Sequence, residues 1–320
     1  MTELTFARPS LDRARLLRLL QDYGVYAGVL VLLLFDVAFT PHFLSVENFR
    51  TQAVQVAPVL VVALGMALAI GAEGVDLSVG SVMALSTSLI SLYLGYGPWI
   101  AVLVALAGGI VVGAANGALI AFVGVQPIVA TLALMVAGRG VALVLLPQLK
   151  DVRDPDMAAL GSGAVLGVPY LVLIAAGLAL LTAFVMRRTT FGRQVLAIGD
   201  SRPAARLAGL PVGRVLVVVY VSCGALAAIA GVLATARLSA SDPTSLGTLM
   251  ELSAITAVVV GGTPLSGGRV RVGGTVAGAV LIQLLTTTLI KHDLPPSWTQ
   301  IAQAAVIVLA VYAARERGRR

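Results

Sequence analysis

"GAEGVDLSVGS" occupies Gly71–Ser81 and interrupts one of the most hydrophobic regions of the chain. The uncharged "QAVQVAPVLVVALGMALAIG" (52–71) leads into it, and "LSVGSVMALSTSLISLYLG" (77–95) leads out of it. The interruption holds two carboxylates, Glu73 and Asp76. Gly71, Gly74 and Gly80 permit a sharp turn and close backbone approach. Asp76 or Ser78 can cap the helix that follows by accepting from its free N–H groups. A carboxylate there also meets a favourable helix dipole. Two readings stand. One is a loop that holds acids between two ordinary spans. The other is a helix break lining a pathway or gate, because irregular backbone at membrane depth must line protein or a cavity.

The surrounding chain sets that depth. It has 320 residues, 58% hydrophobic and 12% charged, with a mean hydropathy of +0.98. A soluble domain is about half apolar and about a quarter charged. The chain is therefore expected to be an all-α, polytopic membrane protein. Ten apolar segments are each candidates for a span, at about 22–40, 52–71, 76–95, 99–123, 126–147, 168–186, 214–236, 249–262, 272–290 and 298–313. The eighth and tenth are short. The rest divides into a cytoplasmic segment (1–21), a transmembrane domain (22–314) and a basic tail (315–320). Residues Leu11–Leu20 mix Arg with Leu and read as a short interfacial helix or as a disordered basic leader. No small-residue cleavage site closes the first apolar run, so a signal peptide is not expected.

Lys and Arg counts in short loops orient the spans. The leader carries Arg8, Arg13, Arg15 and Arg18, and the tail carries Arg315, Arg317, Arg319 and Arg320. Both ends are then expected in the cytoplasm, which requires an even number of spans. Ten places the basic gap 187–213 and the loop with Arg269 and Arg271 inside, and the mixed-charge gap 148–167 outside. The net charge of +7 sets topology here; without a basic stripe interleaved with aromatics, nucleic acid is not an expected partner. Membrane lipid is.

The opening stretch has an echo. "GVDLSVG" (Gly74–Gly80) and "GTPLSGG" (Gly262–Gly268) share Gly-x-x-Leu-Ser-x-Gly, each just after an apolar run. Leu64 and Ala69 align with Leu252 and Ala257 at the same offset. Two related halves with matching breaks characterise transporters, whose pathway lies between them. The candidate pathway residues are thus Gly74, Asp76, Leu77, Ser78 and Gly80 with Gly262, Ser266 and Gly268. Pro264 stands where the first copy has Asp76, so the halves cannot make identical polar contacts.

Other polar groups sit within apolar runs. Arg139 lies inside the fifth. A charge at the bilayer centre costs about 2.5–3.5 kcal/mol on insertion scales, so it must pair, snorkel or face the interior. Glu251 and Asp36 are similar, and all three read as structural partners. Asn116 and Gln126 suit interhelical hydrogen bonds. Small residues around Asn116 favour a tight helix crossing over substrate contact, but Asn116, Gln126 and Arg139 are counted with the candidate pathway residues. Cys223 is the single cysteine, and His42 and His292 only flank apolar segments, so neither a disulfide nor a metal site is expected.

"FGRQVLAIGDSRPAARLAGLPVGR" in the gap 187–213 carries a compact helix signal. Asp200 or Ser201 caps it, Pro203 sits in the first turn, and Gly209 with Pro211 ends it. Ala204, Leu207 and Ala208 share one face, Arg202 and Arg206 another. This is a docking knob for a cytoplasmic partner or an amphipathic helix resting on lipid. Neither lysine, Lys150 nor Lys291, follows glycine, so the chain holds no P-loop. Any ATP-driven transport needs a separate ATPase.

"GVDLSVGSVMALS" resembles the Gly-Ile-Asp-Leu-Ser-Val-Gly signature of the ribose-type ABC sugar importer permeases. The resemblance continues through "NGALIAFVGVQPIVATLALMVAGRG", "FGRQVLAIGDSRPAARLAGL" and "AITAVVVGGTPLSGGRVRVGGTVAGA". "VQPIVATLALMVAGRG" and "PPSW" look most like the galactofuranose-type branch. The resemblance implies a bacterial inner-membrane subunit translocating a ribose-, galactofuranose- or xylose-like monosaccharide. It implies an extracytoplasmic sugar-binding protein, a second permease subunit of the same or a homologous chain, and a cytoplasmic ATPase that carries the ATP and Mg. This chain itself is expected to be no enzyme and to need no cofactor. The family's coupling helix falls on Arg202, Ala204, Ala205, Leu207, Ala208 and Gly209. The usual Gly-Gly before the signature is Glu73-Gly74 here, which adds a carboxylate beside the break. A permease for another small polar solute and an ion-coupled carrier are the competing readings. The carrier would need a coupling site within one chain and no docking loop.

Overall fold

The computed structural model describes residues 11–315; Arg8, Arg317, Arg319 and Arg320 of the leader and tail lie outside the described residues. Thirteen α-helices are arranged in the order α1 (Leu11–Phe39), α2 (Val46–Gly71), α3 (Val79–Tyr93), α4 (Pro98–Ala118), α5 (Pro127–Leu145), α6 (Pro155–Ser162), α7 (Tyr170–Arg188), α8 (Thr190–Asp200), α9 (Arg202–Leu207), α10 (Val212–Leu238), α11 (Met250–Val260), α12 (Val272–Lys291) and α13 (Pro296–Arg315). Among the described residues, strand is confined to two-residue pairs. The protein is an all-α polytopic membrane protein. Among the described residues, seven helical stretches are long and apolar enough to cross a membrane, and two apolar ones, Gly24–Phe39 and Met250–Val260, are shorter.

Three helices, α2, α3 and α10, are the most buried. α2 buries every residue from Leu60 to Gly71, and α10 is a second central strut. α4 crosses α10 on glycines: a Cβ at Gly109 would overlap the carbonyl of Gly224, and one at Gly113 would overlap that of Tyr220. Small residues at such spacing let helix backbones touch where no hydrophobic drive operates between spans. A Gly113→Leu change has only backbone to displace. It is expected to cost about 3 kcal/mol, at the upper end of overpacking, read as a lowered thermal midpoint in detergent. α5 packs mainly on α3 and leaves Val136, Val141 and Val144 exposed.

One expectation changes here, and two gaps gain helices. The leader is not a separate interfacial helix: α1 runs unbroken from Leu11 through residue 21 into the apolar run. Nothing in "LDRARLLRLLQDYGVYAG" stops a helix except lone glycines, each costing only about 1 kcal/mol. The gap 148–167 contains α6, whose Asp154 caps Asp156 and Met157 at 3.0 Å each, with Pro155 at its start. The gap 187–213 contains α8 as well as the compact helix, capped by Thr189 on the N–H of Gly192.

Candidate functional site

The break that opens the sequence is built at both ends by backbone. α2 ends with the N–H of Glu73 on Ile70 O at 2.9 Å and that of Gly74 on Ala69 O at 2.9 Å. This paired closure needs a left-handed residue just past the helix, usually glycine. Here Glu73 supplies it, at φ 60°. α11 closes the same way, with Gly262 at φ 88° bonded to Val259 O at 2.9 Å and Thr263 N–H to Val258 O at 3.2 Å.

Asp76 does not cap α3, and Ser78 makes no side-chain cap either. Asp76 instead accepts from the N–H of Ser78 at 2.9 Å and from its hydroxyl at 2.6 Å. The turn closes ahead of the helix on one carboxylate oxygen, Oδ1, and leaves the buried Oδ2 without a hydrogen bond among the described residues. The Ser78 hydroxyl in turn accepts from Asn116 Nδ2 of α4 at 2.9 Å. Asp76, Ser78 and Asn116 are all buried. Tyr220 of α10 closes the cluster, its hydroxyl against Gly74. This cluster ties break, α4 and α10 together. Ser78→Ala leaves the Asn116 amide without its acceptor and halves the bonding of Asp76. The expected cost is about 1–3 kcal/mol for each buried group left unpaired, measured as a thermal shift against Ser78→Thr.

Glu73 has a partner. Arg202, at the start of α9, donates from Nη2 to Glu73 O at 2.8 Å and to Ala72 O at 3.2 Å. Its Nε lies 3.5 Å from the Glu73 carboxylate. A cation there answers carbonyls left free at the end of α2. One residue before α9's cap, α8 ends against the same place. A Cβ on Gly199 would overlap the carbonyl of Gly71 and come within 2.6 Å of Gly268 N. Gly268 itself donates to Gly71 O at 3.1 Å. The end of α2, the second break and the α8–α9 pair thus meet in one backbone-to-backbone joint.

α9 begins at Arg202, is capped by Ser201 and holds Pro203 in its first turn; Gly209 follows at φ 76°. Ala204, Leu207, Ala208 and Gly209 are exposed, Leu207 at 91%. Ala205 is not on that face: it is buried against the core that contains Leu68 and Tyr220. The apolar face assigned to partner contact is therefore narrower than the sequence indicated.

The two echoes diverge. Ser78 is buried, whereas Leu265 and Ser266 lie exposed on a turn. Without a counterpart of Asp76, Ser266 has no carboxylate to hold it inward. Gln126 is exposed just ahead of α5. Arg139 is half-buried and donates to Pro243 O at 2.7 Å and Leu246 O at 2.8 Å. Asp36 accepts from Thr40 at 2.9 Å and Thr288 at 2.8 Å. Both charged groups are thus paired within the chain, as a charge inside an apolar run requires.

Over residues 48–311 the chain matches the model of a family described as branched-chain amino acid transport system / permease component. It is 37% identical over 301 residues to the galactofuranose transporter permease protein YtfT of Escherichia coli (strain K12), covering 91% of this chain and 88% of that protein. It is 36% identical over 270 residues to the fructose import permease protein FruF of Bifidobacterium longum (strain NCC 2705), covering 81% and 75%. It is 34% identical over 303 residues to the ribose import permease protein RbsC of Bacillus subtilis (strain 168), covering 93% and 94%.

Proposed function

Because the chain belongs to the ribose-type sugar importer permeases, multi-pass proteins of the bacterial inner membrane, we propose that it is the membrane subunit of an ATP-driven monosaccharide importer. An extracytoplasmic binding protein delivers a ribose-, galactofuranose- or xylose-like sugar. Two permease subunits, of the same or homologous chains, enclose its path. ATP and Mg are held by a separate cytoplasmic ATPase. The chain crosses ten times, as two related halves, with both ends in the cytoplasm.

One observation carries the reading. The exposed helix α9 is bonded on its other side to the end of α2, and its neighbour α8 is seated on both breaks. A partner that pushes on Leu207 therefore has two stiff routes inward. One runs through Arg202 to Ala72 and Glu73, the other through Gly199 to Gly71 and Gly268. A carrier that couples to ions within one chain has no use for such a connection. The narrow apolar face of α9 also disfavours a helix resting on lipid.

The test is uptake in cells expressing the chain with its ATPase and binding protein and lacking other sugar importers. Uptake is expected to persist with an uncoupler while ATP is maintained. Collapse of uptake at constant ATP would instead identify an ion-coupled carrier. A panel of pentoses and hexoses in the same cells names the substrate.

A further inference from the structure

α11 is too short to cross. Its 11 residues rise roughly 16 Å, about half of a hydrocarbon core of about 30 Å. Just upstream, Ala240 and Ser241 pair with Asp151 and Lys150, beyond the end of α5. The residues between Ser241 and Met250 must cover the other half of the membrane, and they do so as irregular turns. Their depth is fixed independently. Arg139, the thirteenth of the nineteen residues of α5, holds the carbonyls of Pro243 and Leu246. Gly247 seats directly on the backbone of Gly80 in the first turn of α3, and a Cβ on Gly80 would come within 2.5 Å of the Glu251 carboxylate.

This descending segment is not covered. Thr244, Ser245 and Thr248 are exposed, and Arg139 and Glu251 are half-buried. Hydroxyls, a guanidinium and a carboxylate near mid-depth do not face hydrocarbon, and irregular backbone there lines protein or a water-filled cavity. We infer that the notch walled by Arg139, Thr244, Thr248 and Glu251 is a resting point for the polyhydroxylated solute halfway through the membrane. Glu251 accepts hydroxyl protons, the Arg139 N–H groups donate, and the threonines do both. None of the four is aromatic, so no ring stacks on the sugar and the hold stays weak, which suits onward passage. The inference deepens the permease reading and rests on it.

Thiol labelling of the complete transporter in intact cells tests it. Native Cys223 is buried, its thiol 3.0 Å from Gly65 O, and contributes no background. Thr248→Cys and, as a second position, Ser245→Cys are expected to react with a membrane-impermeant reagent at least about tenfold faster than Leu180→Cys, because a thiolate does not form in hydrocarbon. Leu180 is an exposed residue of α7. Modification at 248 is expected to block uptake. Both thiols reacting no faster than Leu180→Cys would overturn the notch. So would modification that leaves uptake unchanged, or an oxidant linking the thiols of two copies, which would make this face an interface. Failure of the permease reading is separate: the unmodified chain would then import no sugar, whatever the thiols do.

Discussion

A Gly199→Val substitution is expected to abolish ATP-driven uptake and to lower the yield of folded protein. The position has no room for a side chain. Even a single Cβ overlaps the Gly71 carbonyl and approaches Gly268 N to 2.6 Å. Both obstacles are backbone, and they are already bonded to each other at 3.1 Å, so neither swings aside as a flexible side chain would. Overpacking of this kind costs about 3 kcal/mol, about a hundredfold in any equilibrium it opposes. Its consequence is specific, because separating Gly199 from Gly71 also parts the two breaks. The measurement is uptake together with the thermal midpoint in detergent. Gly199→Ala is the milder probe and is expected to retain folding with reduced uptake. Transport by Gly199→Val at the unmodified rate would refute the joint.

Arg202→Ala is expected to cut sugar imported per ATP hydrolysed by about tenfold, whereas Glu73→Gln changes it little. The difference follows from exposure. The Glu73 side chain is 51% exposed and 3.5 Å from Arg202, so water screens the ion pair and its contribution is about 0–1 kcal/mol. The bonds to the Ala72 and Glu73 carbonyls are charge-assisted, and the one to Ala72 is partly buried. Such bonds contribute about 1.5 kcal/mol or more each, and one lost bond corresponds to about a tenfold change. Arg202→Lys keeps the charge but loses the planar fork and is expected to fall between. Glu73→Gly removes the carboxylate while favouring the left-handed turn, so it isolates the side chain from the backbone. Equal losses in Glu73→Gln and Arg202→Ala would put the ion pair, not the carbonyl bonds, in control.

The local features were legible because local rules make them. Glycines and acids in an apolar run mark a break. Ser201, Pro203 and Gly209 mark a short helix, each at the position where helix ends need it. The partner of Glu73 was not legible, since Arg202 lies 129 residues away and only the folded chain brings it there. Asp76 was misread for a related reason. A carboxylate three residues before a helix has two local acceptor geometries, a cap or a turn, and the Ser78 hydroxyl decided between them. α8 was hidden by charge. Phe191, Val195 and Ile198 have helical spacing, but the arginines around them read as a loop. The short eighth segment was visible, yet its meaning was not. That the chain sinks to meet it depends on Arg139 reaching Pro243 and Leu246.

The central position of α10 also bears on how the chain is made. Ser86 of α3 donates to Ala228 of α10 at 2.9 Å, a partner 142 residues later. The glycine face of α4 likewise waits for Gly224 and Tyr220. At ribosomal speed that interval lasts on the order of ten seconds. During it, early spans lie in the bilayer with seams open, a natural station for a membrane chaperone. Chains arrested before Val212 are expected to leave a thiol at Ser86→Cys open to cross-linking, and chains completed past Leu238 to close it.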